Sequence, residues 1–205
     1  MNIGILDYNA CNISSIYYSI YRLGYDPKII KNSKELKDID RLIIPGVGAA
    51  KSCIDHLNQT GLFNEIQEFL ATQKPILGIC MGFQIFATKL YEHGLSKGLG
   101  LIEGEIVPFK KPNLFNIGWQ DVEINKKNEI FKDIKNNNSF YFCHSHYLKF
   151  NNKKDEEECV GISKFGTLIP SLIIKKNFMG MQFHPERSQK NGLNLIKYFL
   201  NWSPQ

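Results

Sequence analysis

The first half of the chain alternates short apolar runs with stretches in which apolar residues recur every three or four positions. Residues 2–6 form such a run, followed by Ile13, Ile16, Tyr17, Ile20 and Leu23 at helical spacing. The pattern repeats at residues 27–30, at 41–44 before a helix near 49–57, and at 75–79 before a helix predicted from about Gly82 to Tyr91. Strand–helix–strand units of this kind predict a parallel sheet with helices on both faces.

Beyond Gly98 the texture changes to closely spaced strand patterns at residues 104–109, 118–124, 139–143, 147–150 and 160–165, which predict mainly antiparallel strands. Residues 171–175 and 178–183 flank Lys176-Asn177 as a hairpin, and residues 188–200 predict a closing helix with apolar Leu193, Ile196, Phe199 and Leu200. The polar runs 125–138 and 151–158 read as loops, because apolar strands resume after each. No internal repeat is present, and residues 1–205 are expected to form one α/β domain.

Composition narrows this picture. With 205 residues and 43% hydrophobic content, the chain can bury a sizeable core. The net charge of +5 sits largely in mixed, Asn-rich stretches, so it predicts a solvated surface and neither a nucleic-acid nor a membrane partner. Five cysteines, with no C-x-x-C pair, predict neither a disulfide framework nor a zinc knuckle and suit a reducing, cytoplasmic compartment. The opening Met1-Asn2-Ile3-Gly4-Ile5-Leu6-Asp7 lacks the basic region and the length of a signal peptide or membrane span, so a soluble protein is expected.

Three segments carry candidate chemistry. Residues 75–84 run from a buried strand into a helix, with Gly78 and Gly82 two positions either side of Cys80, the layout of a nucleophile elbow with cysteine in place of serine. The sharp turn leaves no room for side chains at the glycines, and a helix N-terminus favours thiolate over thiol. Taken alone, the same pattern also fits an ordinary cysteine buried as a small hydrophobe.

In Phe183-His184-Pro185-Glu186, the proline restricts His184 to extended geometry. In an extended stretch, Glu186 would point to the same side as His184 and reach its far ring nitrogen, leaving the near one to exchange protons with Cys80. By itself this segment also fits a surface turn. Finally, Pro45-Gly46-Val47-Gly48 follows a parallel strand at the end where ligands bind in open α/β sheets. Attack on a carboxamide creates an oxyanion, for which the amides of Val47 and Met81 are the candidate donors, each worth about 3 kcal/mol. Pro-Gly also marks ordinary turns, so this segment gains meaning from the other two.

Together and in this order, the three segments resemble the class I (triad) glutamine amidotransferases over nearly the whole chain. Within that class the chain is most similar to the glutaminase subunits of imidazole glycerol phosphate synthases, through Asp7-Tyr8, Asn12, Pro45 to Gly48, residues 98–102, Gly118-Trp119 and residues 184–188. The resemblance implies a flavodoxin-like fold with an added antiparallel C-terminal region, and a Cys80–His184–Glu186 triad that hydrolyses glutamine. It further implies that Gly48, Gln84, Glu92, Ser145 and His146 hold the glutamine, and that Asn12, Trp119, Tyr141 and Arg187 face a (β/α)₈-barrel cyclase in a heterodimer. No metal or organic cofactor is implied. Residues 9–12, Gln120 and His146 depart from the family's usual pattern, which leaves open a paralogous subunit supplying ammonia for amidination of a surface sugar. A third reading is a non-catalytic interaction subunit, against which the intact triad speaks.

The remaining prominent side chains take simpler readings. Tyr17, Tyr18 and Tyr21 are expected to pack on a helix, and Cys11, Cys53, Cys143 and Cys159 to be structural. His56, His93 and His144 show no ligand spacing, although His144 flanks Ser145 near the predicted pocket.

Overall fold

The computed structural model describes residues 1–8, 12–112, 114–124 and 138–204. Strands and helices are numbered in chain order. The parallel strands come from the apolar runs: β1 (Ile3–Leu6), β2 (Lys28–Ile30), β3 (Arg41–Ile44), β4 (Ile76–Ile79) and, much later in the chain, β13 (Phe178–Met181). They are joined by β8 (Asn116–Ile124), β9 (Ser139–His144), β11 (Cys159–Lys164) and β12 (Leu168–Lys175). The described residues thus form one nine-stranded sheet, ordered β2-β1-β3-β4-β13-β12-β11-β8-β9. It is parallel from β2 to β13 and antiparallel from β13 to β9.

Alternation along the parallel strands divides the core. Ile43, Leu77 and Met179 face α1 (Ile13–Tyr21) and α7 (Gln189–Asn201), whereas Leu42, Ile44 and Ile76 face α3 (Ala50–Gln59) and α4 (Leu62–Ala71). Each of these side chains is fully buried, which is worth about 1.5–3 kcal/mol apiece. Asn12 caps α1 by accepting from the Ser15 N–H at 3.4 Å.

A second sheet, ordered β10-β7-β5-β6, is built from β5 (Ala87–Leu90), β6 (Ser96–Lys97), β7 (Ile102–Pro108) and β10 (His146–Phe150). This corrects the helix expected over residues 82–91. The helix after Cys80, α5 (Met81–Gln84), lasts one turn, and the chain then pairs as β5 with β7. Residues 82–87 are buried on all sides, so their apolar run has no face to mark a period. The polar run 151–158 also differs from a plain loop: Asn152 caps a short α6 (Lys153–Glu157) by accepting from the Asp155 N–H at 2.8 Å. The sequence patterns above do not mark the short α2 (Ser33–Leu36) or α4. Residues 125–137 of the other polar run lie outside the described residues.

A partly buried ion pair joins the two sheets. Lys175 of β12 donates to Asp155 and, at 2.8 Å, to the Leu101 carbonyl, while Asp155 accepts from the Glu103 N–H at 2.6 Å. Among the described residues, no helix is long and apolar enough to cross a membrane.

Candidate active site

At the end of β4 the backbone turns abruptly at Cys80, with φ 52° and ψ −108°, and enters α5 one residue later. A non-glycine residue held there stores on the order of 1–3 kcal/mol of strain, which the surroundings must fix in place. The Cys80 N–H does so by donating to the Met181 carbonyl of neighbouring β13 at 2.7 Å. A Cβ on Gly78 would collide with the backbone of Gly82, and a Cβ on Gly82 with the carbonyl of Ile44. Both glycines are therefore required by close backbone approach, as the elbow pattern predicts.

Next to β4, β13 leads through Gln182 and Phe183 to His184, whose N–H donates to the Tyr141 carbonyl at 2.8 Å. His184 is extended, at φ −95° and ψ 96°, but Pro185–Arg187 then forms a 3₁₀ turn. The contact with Glu186 therefore arises by a different geometry from the extended stretch expected, since the proline's fixed φ starts a tight turn. The predicted pairing itself forms. His184 Nδ1 lies 2.8 Å from Glu186 Oε1, with both side chains nearly buried.

A carboxylate only accepts, so Nδ1 carries the proton and the other ring nitrogen is left free for Cys80, whose sulfur lies near enough to act on the ring. Burial opposes an imidazolium here. The charges and hydrogen bonds of Cys80 and Glu186 outweigh it, however, and raise the His184 pKa to about 11.

Cys80 is only 4% exposed, yet it lines a cavity of about 230 Å³. Val47, Gly48, Met81, Gln84, Glu92, Ser145 and His146, all picked out from the sequence, line the same cavity. Met81 opens α5, so its N–H has no helical partner a turn back. The Pro45–Gly48 turn is tied to the N-terminal segment by the Tyr8 hydroxyl, which donates to the Pro45 carbonyl at 2.5 Å. Gly48 holds φ +99°, where a side chain would be strained. Glu92 accepts from the Ala50 N–H at 2.6 Å and faces the His146 ring at 3.8 Å, placing a carboxylate on the cavity wall.

The family model for glutamine amidotransferase class-I matches residues 4–201. The chain belongs to that family. Over nearly its whole length this amidotransferase is similar to proteins named imidazole glycerol phosphate synthase subunit HisH. It is 40% identical to that of Caldanaerobacter subterraneus subsp. tengcongensis, with 96% of each chain covered, and 41% identical to that of Methanocaldococcus jannaschii, covering 97% of this chain and 98% of the relative. Among solved structures, it shares the fold of PurLQS from Thermotoga maritima at a TM-score of 0.75 and 20% identity, covering 98% of this chain and 97% of that one. A structure described as glutamine amidotransferase aligns at a TM-score of 0.72 and 19% identity, with 98% of each chain covered.

The residues expected to face a partner lie together on the amidotransferase surface. Trp119 of β8 meets the Tyr141 ring edge-on at 6.2 Å, and the Arg187 guanidinium lies over Tyr141 at 5.8 Å. Asn12 is exposed at the start of α1, which packs beside the turn carrying Arg187. Through its backbone, Tyr141 also holds the His184 segment: it accepts from the His184 N–H and donates to Ser188 Oγ at 3.0 Å.

Sequence reasoning missed two buried polar residues of the amidotransferase that contact the cavity lining. Gln182 meets Gln84 and Asn116 meets His144, and both carried only the signal of a polar residue inside an apolar run, whereas His144, placed near the pocket by its position beside Ser145, does line it. His144 donates from Nδ1 to the His146 carbonyl at 2.7 Å, leaving its other nitrogen to accept from Asn116 at 3.1 Å. Burial pushes its pKa down to about 4, against the pull of that carbonyl. Cys143, expected to be structural, is exposed and lines the cavity, because β9 turns Phe140 and Phe142 inward and Cys143 outward. Cys53 is buried and Cys159 half-buried, whereas Cys11 lies outside the described residues.

Proposed function

We propose that this chain hydrolyses glutamine to glutamate and ammonia through Cys80, His184 and Glu186, as the glutaminase subunit of an imidazole glycerol phosphate synthase in histidine biosynthesis. The observation that carries this reading is the strained Cys80 at the wall of a cavity, close to a histidine whose Nδ1 is held by Glu186.

Cys80 sulfur attacks the glutamine carboxamide carbon, and the oxygen that gains charge takes hydrogen bonds from the Val47 and Met81 amides. His184 gives its proton to the departing nitrogen, so ammonia leaves and a thioester remains on Cys80. The neutral imidazole then takes a proton from water, which attacks the thioester. Glutamate is released and the thiol is restored. Glu186 transfers no proton in either half of the reaction and acts by holding the ring in one tautomer.

Glu92 suits the ammonium of the glutamine α-carbon by charge, while Gly48, Gln84, Ser145 and His146 complete the pocket. The ammonia passes to a (β/α)₈-barrel cyclase subunit docked over Asn12, Trp119, Tyr141 and Arg187, forming a heterodimer in the cytoplasm. An internal passage suits this chemistry, because ammonia in neutral water becomes ammonium and loses its attacking lone pair. Relatives named as HisH subunits favour the histidine-pathway acceptor over an activated sugar.

The test is glutamate release from glutamine by the chain with its cyclase partner and phosphoribosyl acceptor. Cys80→Ala should lower the rate by at least about 10⁴-fold. Equal rates would remove Cys80 from the mechanism, and stimulation only by a sugar-modifying partner would move the acceptor to that class.

A further inference from the structure

Gln182 lies just past the end of β13 with no exposure to solvent, and its side-chain Nε2 is 3.8 Å from the Cys80 sulfur. Resting on the reading of Cys80 as the nucleophile, we infer that Gln182 is a further catalytic residue, whose N–H stabilises negative charge on that sulfur and whose orientation is fixed by a chain of hydrogen bonds beginning at Asn116.

The direction of each amide follows from its neighbours. The His146 carbonyl can only accept, and it receives both His144 Nδ1–H at 2.7 Å and Gln84 Nε2–H at 2.8 Å. Gln84 therefore presents its nitrogen on this side, and its second N–H meets Gln182 at 3.1 Å. The Gln182 oxygen must turn towards Gln84 to accept it, which turns the Gln182 nitrogen towards Cys80. Reversing Gln182 would set nitrogen against nitrogen, and reversing Gln84 would set oxygen against the His146 carbonyl. At the far end, Asn116 donates to the remaining nitrogen of His144 and so holds that ring in the tautomer the chain needs.

The sulfur thus sits between two polar groups of opposite preference. The Cys143 carbonyl, 3.7 Å away, can accept from a thiol but repels a thiolate. The Gln182 N–H favours the thiolate, and it does so in a buried setting where a hydrogen bond to charge is at its strongest. The donor is in place before glutamine arrives, so no reorganisation is needed when the sulfur becomes charged.

The experiment is alkylation of the full chain by iodoacetamide at pH 7, following both modification of Cys80 and loss of glutaminase activity. If alkylation of Cys80 in the parent leaves activity intact, the function proposed above fails whatever Gln182 does. If the parent is inactivated, Gln182→Leu should alkylate roughly tenfold more slowly, with the deficit closing as pH rises and the thiol ionises unaided. A deficit that persists at high pH marks a structural role and overturns the assignment. Gln182→Glu keeps the side chain's size while replacing the donor with an acceptor oxygen, and should be at least as slow. Parental rates in either folded variant would overturn the assignment. A measurement in the parent fold covers the case in which neither variant folds: the Gln182 side-chain amide proton resonance should move in Cys80→Ala, and an unmoved resonance overturns the contact.

Discussion

In the parallel half of the large sheet, β3 and β4 end at Ile44 and Ile79 and deliver their chains into turns that face the cavity. In the antiparallel half, β8 and β9 contribute their broad faces instead: Phe140 and Phe142 pack inward, while Trp119 and Tyr141 look outward. The difference follows from strand direction. Parallel strands bring several C-terminal ends to one edge, where turns and helix starts can converge on a reacting atom. Antiparallel strands return at both edges and offer a flat surface with one buried side and one for contact. The parallel half therefore positions the sulfur, and the antiparallel half walls the pocket and leaves an outward aromatic face, the one proposed above to meet a partner. β13 is parallel to one neighbour and antiparallel to the other, and it leads to His184, the proposed base.

The largest test lies at this seam. Glu186→Gln preserves size but lets an amide contact the imidazole, so the wrong tautomer is favoured, and glutamate release should fall on the order of 10⁴-fold. A loss below about tenfold would mean that the Tyr141 and Ser188 contacts of the antiparallel side orient His184 unaided.

A smaller effect is expected in the parallel half. Gly82→Ala sets a methyl against the Ile44 carbonyl, which should cost about 3 kcal/mol in denaturant unfolding and, through displacement of the sulfur, about 10²-fold in turnover. Unchanged stability would show that the elbow has room to relax.

The smallest test is in the antiparallel half and needs no substrate. The folded-state pKa of His144 is about 4, below the ordinary 6.5, so the unfolded chain binds a proton in this window that the folded one does not. Stability from this group is present above pH 6.5 and lost as pH falls towards 4, by up to about 3 kcal/mol. His184, raised instead, is protonated in both states over nearly all of this window and adds little slope to it. Equilibrium unfolding of His144→Gln should therefore depend less steeply on pH between 4 and 6.5. Parallel curves for variant and parent would show that His144 does not stay neutral when buried.

The same two halves differ in how far they could be read from sequence. Strands β1, β3 and β4 were legible because continuous apolar runs are what burial on both faces demands, and Cys80 because two backbone collisions impose glycine at fixed distance on either side. The pairing of His184 with Glu186 was legible as a contact but not as a turn, since nothing within the four residues distinguishes an extended reach from a 3₁₀ one. β5 was hidden because residues 82–87 are buried all round, so their pairing with β7 rests on contacts distant in sequence. Gln182, His144 and Asn116 could be seen as polar residues near the site, but the direction of each hydrogen bond depends on partners from separate segments of the chain.

The placement of β13 also bears on how the protein is made. This strand enters the middle of the sheet, between β4 and β12, although it follows β4 only after the whole second sheet and all four strands of the antiparallel half have been laid down along the chain. The polypeptide emerging from a ribosome therefore carries the Cys80 thiol without His184 beside it until the chain through His184 has been synthesised and that gap in the sheet has closed. On the function proposed above, reactivity arrives only when β13 is in place, which spares the nascent chain an activated nucleophile exposed to the surrounding cell.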